Sequence, residues 1–398
     1  MTAYKQTELG LIPSDWEIRK IGDVVKIQTG NRNTQDKIKD GKYPFFVRSQ
    51  QVERINSYSF DGEGVLTAGD GVGTGKIFHY INGKFDYHQR VYLMHDFSKN
   101  NIDGFYFYLF FSNNFYNRIM AMTAKSSVDS VRRDMIAEMD IILPPKPEQT
   151  AIATALSDTD ALLTELEKLL AKKQAIKTAT MQQLLTGKTR LPEFAHRADG
   201  TPKGSLKTEW GDIPEDWEVV ALGGLAEITM GQSPSSSSYN KNSLGLPLVQ
   251  GNADVNNRQT IIRNYTSQPT KIGNVGDIIF SVRAPVGNVA KTKFTCCLGR
   301  GVCSIRFPND YLYFYLIFIE TSWAKQSSGS TFDSINSDTL SKKMISVPKS
   351  TTEQTAIAQI LGDIDSEINA LQARIEKLRE IKQGMMQNLL TGKIRLPF

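Results

Sequence analysis

The chain has 398 residues, 40% of them hydrophobic and 22% charged, with a formal net charge of +5 and three cysteines. Such a composition excludes the disordered, collagenous and disulfide-stapled classes, and the length suggests two or three domains of ordinary size. It also excludes a dedicated basic domain. Residues 1–145 carry 18 basic and 17 acidic side chains and residues 208–347 carry 12 of each, so a nucleic-acid surface would have to come from arrangement on one face. The first ten residues have no apolar core, so no signal peptide is expected. The longest apolar run, Tyr311 to Ile319, is about half of what a bilayer-spanning helix needs. Three thiols in a chain of this length point to a reducing compartment, and the cytoplasm is the expected location.

From the N-terminus, residues 1–145 form a first globular domain. It opens with Thr7-Glu8-Leu9-Gly10-Leu11-Ile12-Pro13-Ser14-Asp15-Trp16-Glu17-Ile18. Its polar loops include Arg48, Gln50, Gln51 and Arg54, and later Lys125 and Ser126 with Arg132 and Arg133. The run Gly69-Asp70-Gly71-Val72-Gly73-Thr74-Gly75 matches neither a dinucleotide fingerprint nor a phosphate loop, and a turn between strands is expected there.

Residues 146–192 are predicted as a long helix, with Ile152, Leu156, Leu163, Leu166 and Leu170 on one stripe that Thr159 and Lys173 interrupt. Pro147 stands at its start and Gly187 where a C-terminal stop belongs. Gly187-Lys188-Thr189 invites a phosphate-loop interpretation, but Gln182 stands where that motif requires glycine, and a helix C-cap is expected instead.

A short linker, residues 193–207, leads to a second domain over 208–347, and here the chain repeats itself. Thr208-Glu209-Trp210-Gly211-Asp212-Ile213-Pro214-Glu215-Asp216-Trp217-Glu218-Val219 echoes the opening of the first half at an offset of 201. The interior diverges: the loops offer Gln232, Ser233, Ser235, Gln250, Asn252, Arg283, Ser330 and Thr331. Short amide and hydroxyl side chains with arginines suit phosphate positioning and hydrogen bonding to base edges. Residues 348–398 then repeat the first helix at an offset of 205, from Glu353-Gln354-Thr355-Ala356-Ile357-Ala358 to Leu389-Leu390-Thr391-Gly392-Lys393. Ile357, Leu361, Ile364, Ile368, Leu371, Ile375 and Leu378 alternate at spacings of four and three, a heptad seam. A helix this long overhangs a domain the size of residues 208–347 and must bury its seam elsewhere. Because the linker carries the chain from the first helix into the second domain, the two seams can meet only with the helices antiparallel.

No pattern for catalysis emerges. Cys296, Cys297 and Cys303 lack zinc-site spacing and are expected as buried strand residues. His79, His88 and His95 have no counterparts in the second half. Nucleophile contexts, paired carboxylates and a methyltransferase tetrapeptide are lacking, so the chain is expected to bind rather than to catalyse, with no metal and no cofactor of its own.

These residues resemble a known family. The paired openings around Leu11-Ile12-Pro13-Ser14-Asp15-Trp16 and Asp212-Ile213-Pro214-Glu215-Asp216-Trp217, the Leu143-Pro144-Pro145-Lys146-Pro147-Glu148-Gln149 and Val347-Pro348 entries to the helices, and the two Leu-Leu-Thr-Gly-Lys exits are similar to the specificity subunit of a type I restriction–modification enzyme. The resemblance covers essentially the whole chain. It implies an α/β (α+β) fold in which two β-rich target-recognition domains, 1–145 and 208–347, are separated by conserved spacer helices, 146–192 and 348–398, that form an antiparallel coiled coil. It implies that each domain binds one half of a bipartite, asymmetric site in double-stranded DNA. Two modification (methyltransferase) subunits would dock on the helices, and restriction (motor-nuclease) subunits would join them. S-adenosylmethionine, ATP and Mg would belong to those partners. Gly231-Gln232-Ser233-Pro234, Gly251-Asn252-Ala253-Asp254, Ser281-Val282-Arg283-Ala284-Pro285-Val286-Gly287 and Gly299-Arg300-Gly301 resemble one recurrent type of recognition domain. The first domain has Thr67-Ala68-Gly69-Asp70-Gly71-Val72-Gly73 instead, without the arginine, so it is expected to recognise a different sequence and no role for Arg283 carries over to it. A related type II methyltransferase assembly, or a coiled-coil scaffold without DNA binding, are the alternatives.

An antiparallel pair brings the two chain ends together. A permutant opened within 193–207, with the old ends joined by a similar linker, is therefore expected to fold; loss of the cooperative thermal transition in that permutant would count against the pairing.

Overall fold

The computed structural model describes residues 3–122, 130–327 and 334–397. The chain forms two compact units, Met1–Glu167 with Ala373–Phe398 and Lys168–Gln372. Each of the two long helices, Lys146–Leu184 and Thr351–Leu389, contributes one end to each unit. At 39 residues apiece they are about 58 Å long.

In the first unit a six-stranded sheet has the order Lys26–Thr29, Val91–His95, Phe60–Ala68, Phe78–Tyr87, Tyr43–Phe46, Glu53–Ile55. Its longest pair joins Phe60–Ala68 antiparallel to Phe78–Tyr87, with Phe60 opposite Phe85 and Thr67 opposite Phe78. The helix Gly104–Ala121 starts where Asp103 accepts hydrogen bonds from the Phe105 and Tyr106 backbone N–H groups. Its aromatic face buries Tyr106, Phe107, Phe111 and Phe115 in a core with Trp16, Ile152 and Leu156. Leu389, at the far end of the second long helix, and Leu390 just after it complete that core.

The second unit repeats the plan with shorter strands. Glu227–Met230, Val302–Arg306, Ile278–Ser281 and Val289–Lys291 are adjacent in the same order as their counterparts in the first unit. Val255–Asn256 and Gln259–Thr260 extend that sheet, and a separate five-stranded sheet contains Leu246–Val249 and Cys296–Leu298. Trp217, Phe280, Tyr311, Leu312, Ile357 and Leu361 fill the core, which Met181 and Leu184 of the first long helix and Leu185 just after it close. Cys296, Cys297 and Cys303 are fully buried strand residues. Burial pushes the thiols of Cys296 and Cys303 up to about 11 and about 12, so both stay protonated and inert.

Within each unit the two helix ends run in opposite directions, as the ion pairs show. In the first unit Lys382 pairs with Asp160 at 2.5 Å and Arg379 with Glu167 at 2.7 Å; in the second, Lys173 pairs with Glu367 at 2.5 Å and Lys177 with Asp365. The residue number falls along one helix as it rises along the other. Ile152, Leu156, Leu166, Ile357, Leu361, Ile368 and Ile375 are buried, while Leu163, Leu170, Ile364, Leu371 and Leu378 are half-buried. Lys173 does not break the stripe: it keeps a half-buried seam position with its ammonium on Glu367. Thr159 turns its hydroxyl back onto the Ala155 carbonyl at 2.8 Å. Exposed ion pairs of this kind contribute about 0.2–1 kcal/mol each, less than one buried leucine. Ile152 and Leu156 pack into the core of the first unit and Ile357 and Leu361 into that of the second, while the ion pairs join the two helix ends within each unit.

The repeated helix exits have a structural role. Gly187 and Gly392 both take φ of +69°, and a Cβ at either would meet a proline ring carbon, of Pro214 or Pro13, at 2.4 Å. Each exit then delivers an arginine to the head of the other helix. Arg395 donates to both oxygens of Glu148, at 2.9 and 2.6 Å, and to both of Asp15, at 2.9 and 2.8 Å. Arg190 does the same to Glu353, at 2.8 and 2.9 Å, and Asp216, at 2.8 and 3.0 Å. Glu148 and Glu353 are buried, and Trp16 also donates its indole N–H to Glu148 at 3.0 Å.

Burial alone would raise the Asp216 carboxyl, but hydrogen bonds from Arg190 and Lys203 bring it down to about 2 from 3.8. A depressed carboxylate contributes stability above its unfolded value that disappears as pH falls through the folded one. Asp216→Asn is therefore expected to melt below the wild type at pH 7, with the gap narrowing between pH 4 and pH 2. Thermal denaturation at stepped pH measures it, and a gap that widened on acidification would refute the arrangement.

Candidate nucleic-acid interface

In the second unit, four loops at one end of the six-stranded sheet converge on a cavity of about 310 Å³. Ser233, Gln250, Asn252 and Arg283 line it, together with Ser281, Arg300 and three small residues. The local sequence explains how each side chain is held. Gln250 follows the strand Leu246–Val249; its backbone N–H donates to Asp254 at 2.7 Å and its side-chain amide to the Tyr239 hydroxyl at 2.9 Å. Asn252 donates to the Pro285 carbonyl at 3.0 Å and accepts from Asn288 at 2.9 Å, tying two loops together. The Ser233 hydroxyl accepts the Arg300 backbone N–H at 3.1 Å. Ser281 donates to the carbonyls of Arg283 and Pro285, at 2.8 and 3.0 Å, folding the loop that carries Arg283.

The guanidinium groups of Arg283 and Arg300 are exposed, and among the described residues neither forms an ion pair. Two unneutralised cations beside fixed amide and hydroxyl groups suit phosphate oxygens or the acceptor edge of a base. Gln232 is exposed nearby, its backbone N–H donating to the Leu298 carbonyl at 2.9 Å. Ser235 lies outside the cavity, in a polar turn where its hydroxyl meets that of Ser237 at 2.8 Å. Ser330 and Thr331 lie outside the described residues.

The first unit brings the equivalent loops together with a different charge pattern. Arg48 reaches Asp70 at 2.9 Å, and Arg90 reaches the same carboxylate at 3.5 Å. Gln50 and Gln51 are exposed beyond Arg48. Arg132 and Arg133 are exposed at the start of the short helix Arg133–Ala137, just after Ser130 and Val131 bridge to Asp70 and Gly69. Arg54 turns inward to the carbonyls of Gly41 at 2.9 Å and Lys42 at 2.7 Å and serves as a strut. Lys125 and Ser126 lie outside the described residues. His79 and His88 are buried; burial pushes both imidazoles down, and Arg48 and Arg90 reinforce that at His88.

Arg300, Asp70 and Arg90 are not among the candidates that residue type in the loops singles out. The Gly299-Arg300-Gly301 context carried a signal for the first of these. Asp70 and Arg90 carried none, since they acquire meaning only when strands distant in the chain place them together. Among the described residues no cluster of His, Cys, Asp and Glu could hold a metal, and no helix is long and apolar enough to cross a membrane.

Backbone packing under the cavity is tight. A Cβ on Gly301 would sit 2.1 Å from the Gln250 carbonyl oxygen, whereas one on Gly251 meets nothing within 4 Å. Gly301→Ala is expected to destabilise the protein by about 1–3 kcal/mol and Gly251→Ala to leave stability within about 0.5 kcal/mol. Urea unfolding of the two variants makes the comparison; equal stabilities would contradict the packing.

Comparison with known proteins agrees with this layout. A family model described as "Type I restriction modification DNA specificity domain" matches twice, at residues 13–178 and 214–382. The putative type I restriction enzyme MjaX specificity subunit of Methanocaldococcus jannaschii is 33% identical over 434 aligned positions, covering 99% of this chain and 97% of that protein. The type I restriction enzyme EcoDI specificity subunit of Escherichia coli is 24% identical, covering 93% and 87%. The crystal structure of a type I restriction–modification system S subunit from M. genitalium shares the fold at a TM-score of 0.66 and 15% identity, covering 94% of this chain and 96% of that one.

Proposed function

The chain belongs to the specificity subunits of type I restriction–modification enzymes, and from that premise we propose that each of its recognition domains binds one half of a bipartite, asymmetric site in duplex DNA. The observation that carries this reading is the contrast between the equivalent loop clusters of the two units. The same loops on the same strand order present Gln250, Asn252, Arg283 and Arg300 in one unit and Arg48, Asp70 and Arg90 in the other. One scaffold bearing two different sets of hydrogen-bonding groups is what recognition of two different base sequences requires.

The helices and clasps, by contrast, are nearly constant between the halves. They set the separation of the half-sites and dock two modification subunits. Leu162, Leu169 and Ile176, exposed at heptad spacing on the first long helix, support a docking role. The chain itself is non-catalytic. Its partners bind S-adenosylmethionine, ATP and Mg, methylate the site and, with restriction subunits present, cut unmodified DNA. The complex works in the cytoplasm, where the DNA is.

Sequencing of methylated DNA from cells expressing the chain with its modification subunits tests this. Exchange of residues 1–145 for another recognition domain is expected to change one half-site only, and insertion of a heptad in both helices to lengthen the spacer. A change in both half-sites, or an unaltered spacer, would refute the modular reading.

A further inference from the structure

The loop after the strand Phe60–Ala68 and the loop after Ile278–Ser281 are held by the same backbone hydrogen bonds. Gly69 N–H donates to the Arg90 carbonyl at 2.8 Å, and its own carbonyl accepts from Val131 at 2.7 Å; Val282 N–H donates to the Gly301 carbonyl at 3.0 Å, and its carbonyl accepts from Ile335 at 2.8 Å. Gly69 and Val282 are thus equivalent. The next residue bridges to Ser130 in the first domain and to Ser334 in the second, so Asp70 occupies the place of Arg283. The charge at that place is inverted. The surrounding loops have adjusted: Arg48, from the loop after the strand Tyr43–Phe46, and Arg90, from the turn before Val91–His95, both converge on Asp70. The turn is itself fixed, since the Arg90 backbone N–H donates to His88 Nδ1 at 2.9 Å.

An arginine whose guanidinium is held by a carboxylate is fixed in direction while other N–H groups stay available. Arg48 uses Nη1 for Asp70 and remains exposed. A guanidinium edge matches two acceptors side by side, and among base edges in the major groove guanine supplies that pair through O6 and N7. We propose that Asp70 is a specificity-positioning residue of the first recognition domain, holding Arg48 to contact a guanine in that domain's half-site, whereas the second domain supplies its arginine directly from the equivalent position, as Arg283. The inference rests on the proposed reading of the chain as a two-domain DNA reader and adds to it the base class and the residue that orients the contact.

The test uses the full chain in complex with its modification subunits. The wild-type methylated motif is first determined by sequencing; absence of any bipartite motif would sink the two-domain reading itself. Duplexes carrying that motif, and copies with each base pair of the first half-site replaced in turn, then compete for binding to the wild type, Asp70→Ala, Arg48→Ala and Arg48→Lys. A guanine contact by Arg48 is expected to show as one guanine position in that half-site whose discrimination falls about 5- to 150-fold in both alanine variants. Arg48→Lys, which keeps the charge and the salt bridge but loses the planar fork, is expected to relax the same position while the discrimination of the second half-site stays at its wild-type level. The proposal is overturned if Arg48→Lys retains full discrimination, if the affected position is not guanine, or if the variants lose affinity equally for every duplex. That last result would make the cluster a phosphate anchor or a structural brace.

Discussion

The buried glutamate at the head of each long helix, clasped by an arginine from the tail of the other, is the constraint on which the architecture depends. A carboxylate with essentially no exposure is costly to bury alone, and the cost falls away only when a cation with matched geometry is delivered to it. Arg395 supplies two bonds to Glu148 and two to Asp15, and Arg190 supplies the same four to Glu353 and Asp216. Neither clasp can form within one half of the sequence. Each unit is therefore complete only when the chain has contributed the opening of one half and the exit of the other.

This accounts for the pattern of sameness in the sequence. The Leu-Leu-Thr-Gly-Lys exit, the Pro-x-x-Trp segment and the Glu-Gln helix entry are constant between the halves because they meet one another. Gly392 lies against Pro13 and Trp16, and Gly187 against Pro214 and Trp217. The helix that bears the glutamate begins two residues before it, where the partial positive charge of the helix start favours an acid. Residues far from the clasp, on the sheet ends that carry the loops, are under no such mutual constraint and have diverged.

Much of this was legible in the sequence, because repeats and heptads are local patterns that survive without knowledge of the fold. The offset of 205, the glycine stops and the seam from Ile357 to Leu378 all lie in one continuous stretch each. The polar seam positions were less transparent: Lys173 looked like a break because its partner, Glu367, is far away in the chain. The same limit applies to the loops at the sheet ends. Ser233, Gln250, Asn252 and Arg283 stood out by residue type and do line one cavity, but Arg54 stood out equally and is a strut to Gly41 and Lys42. Composition cannot tell an arginine aimed at solvent from one satisfied by backbone carbonyls.

Asp70 shows the reverse case, in which an unremarkable residue gains significance from its backbone neighbours. An aspartate in a glycine-rich turn has an ordinary local role, and nothing near it in sequence argues otherwise. Only the ladder of hydrogen bonds from Gly69 to Arg90 and Val131 identifies it as the counterpart of Arg283. Replacement of a cation by an anion at one fixed point would repel a phosphate or an acceptor edge if nothing else changed. Two arginines drawn from neighbouring loops restore the positive character there and move it sideways. The charge of a loop surface can thus be rebuilt without disturbing the strands beneath it, because backbone hydrogen bonds hold the loops while the side chains set the charge they present.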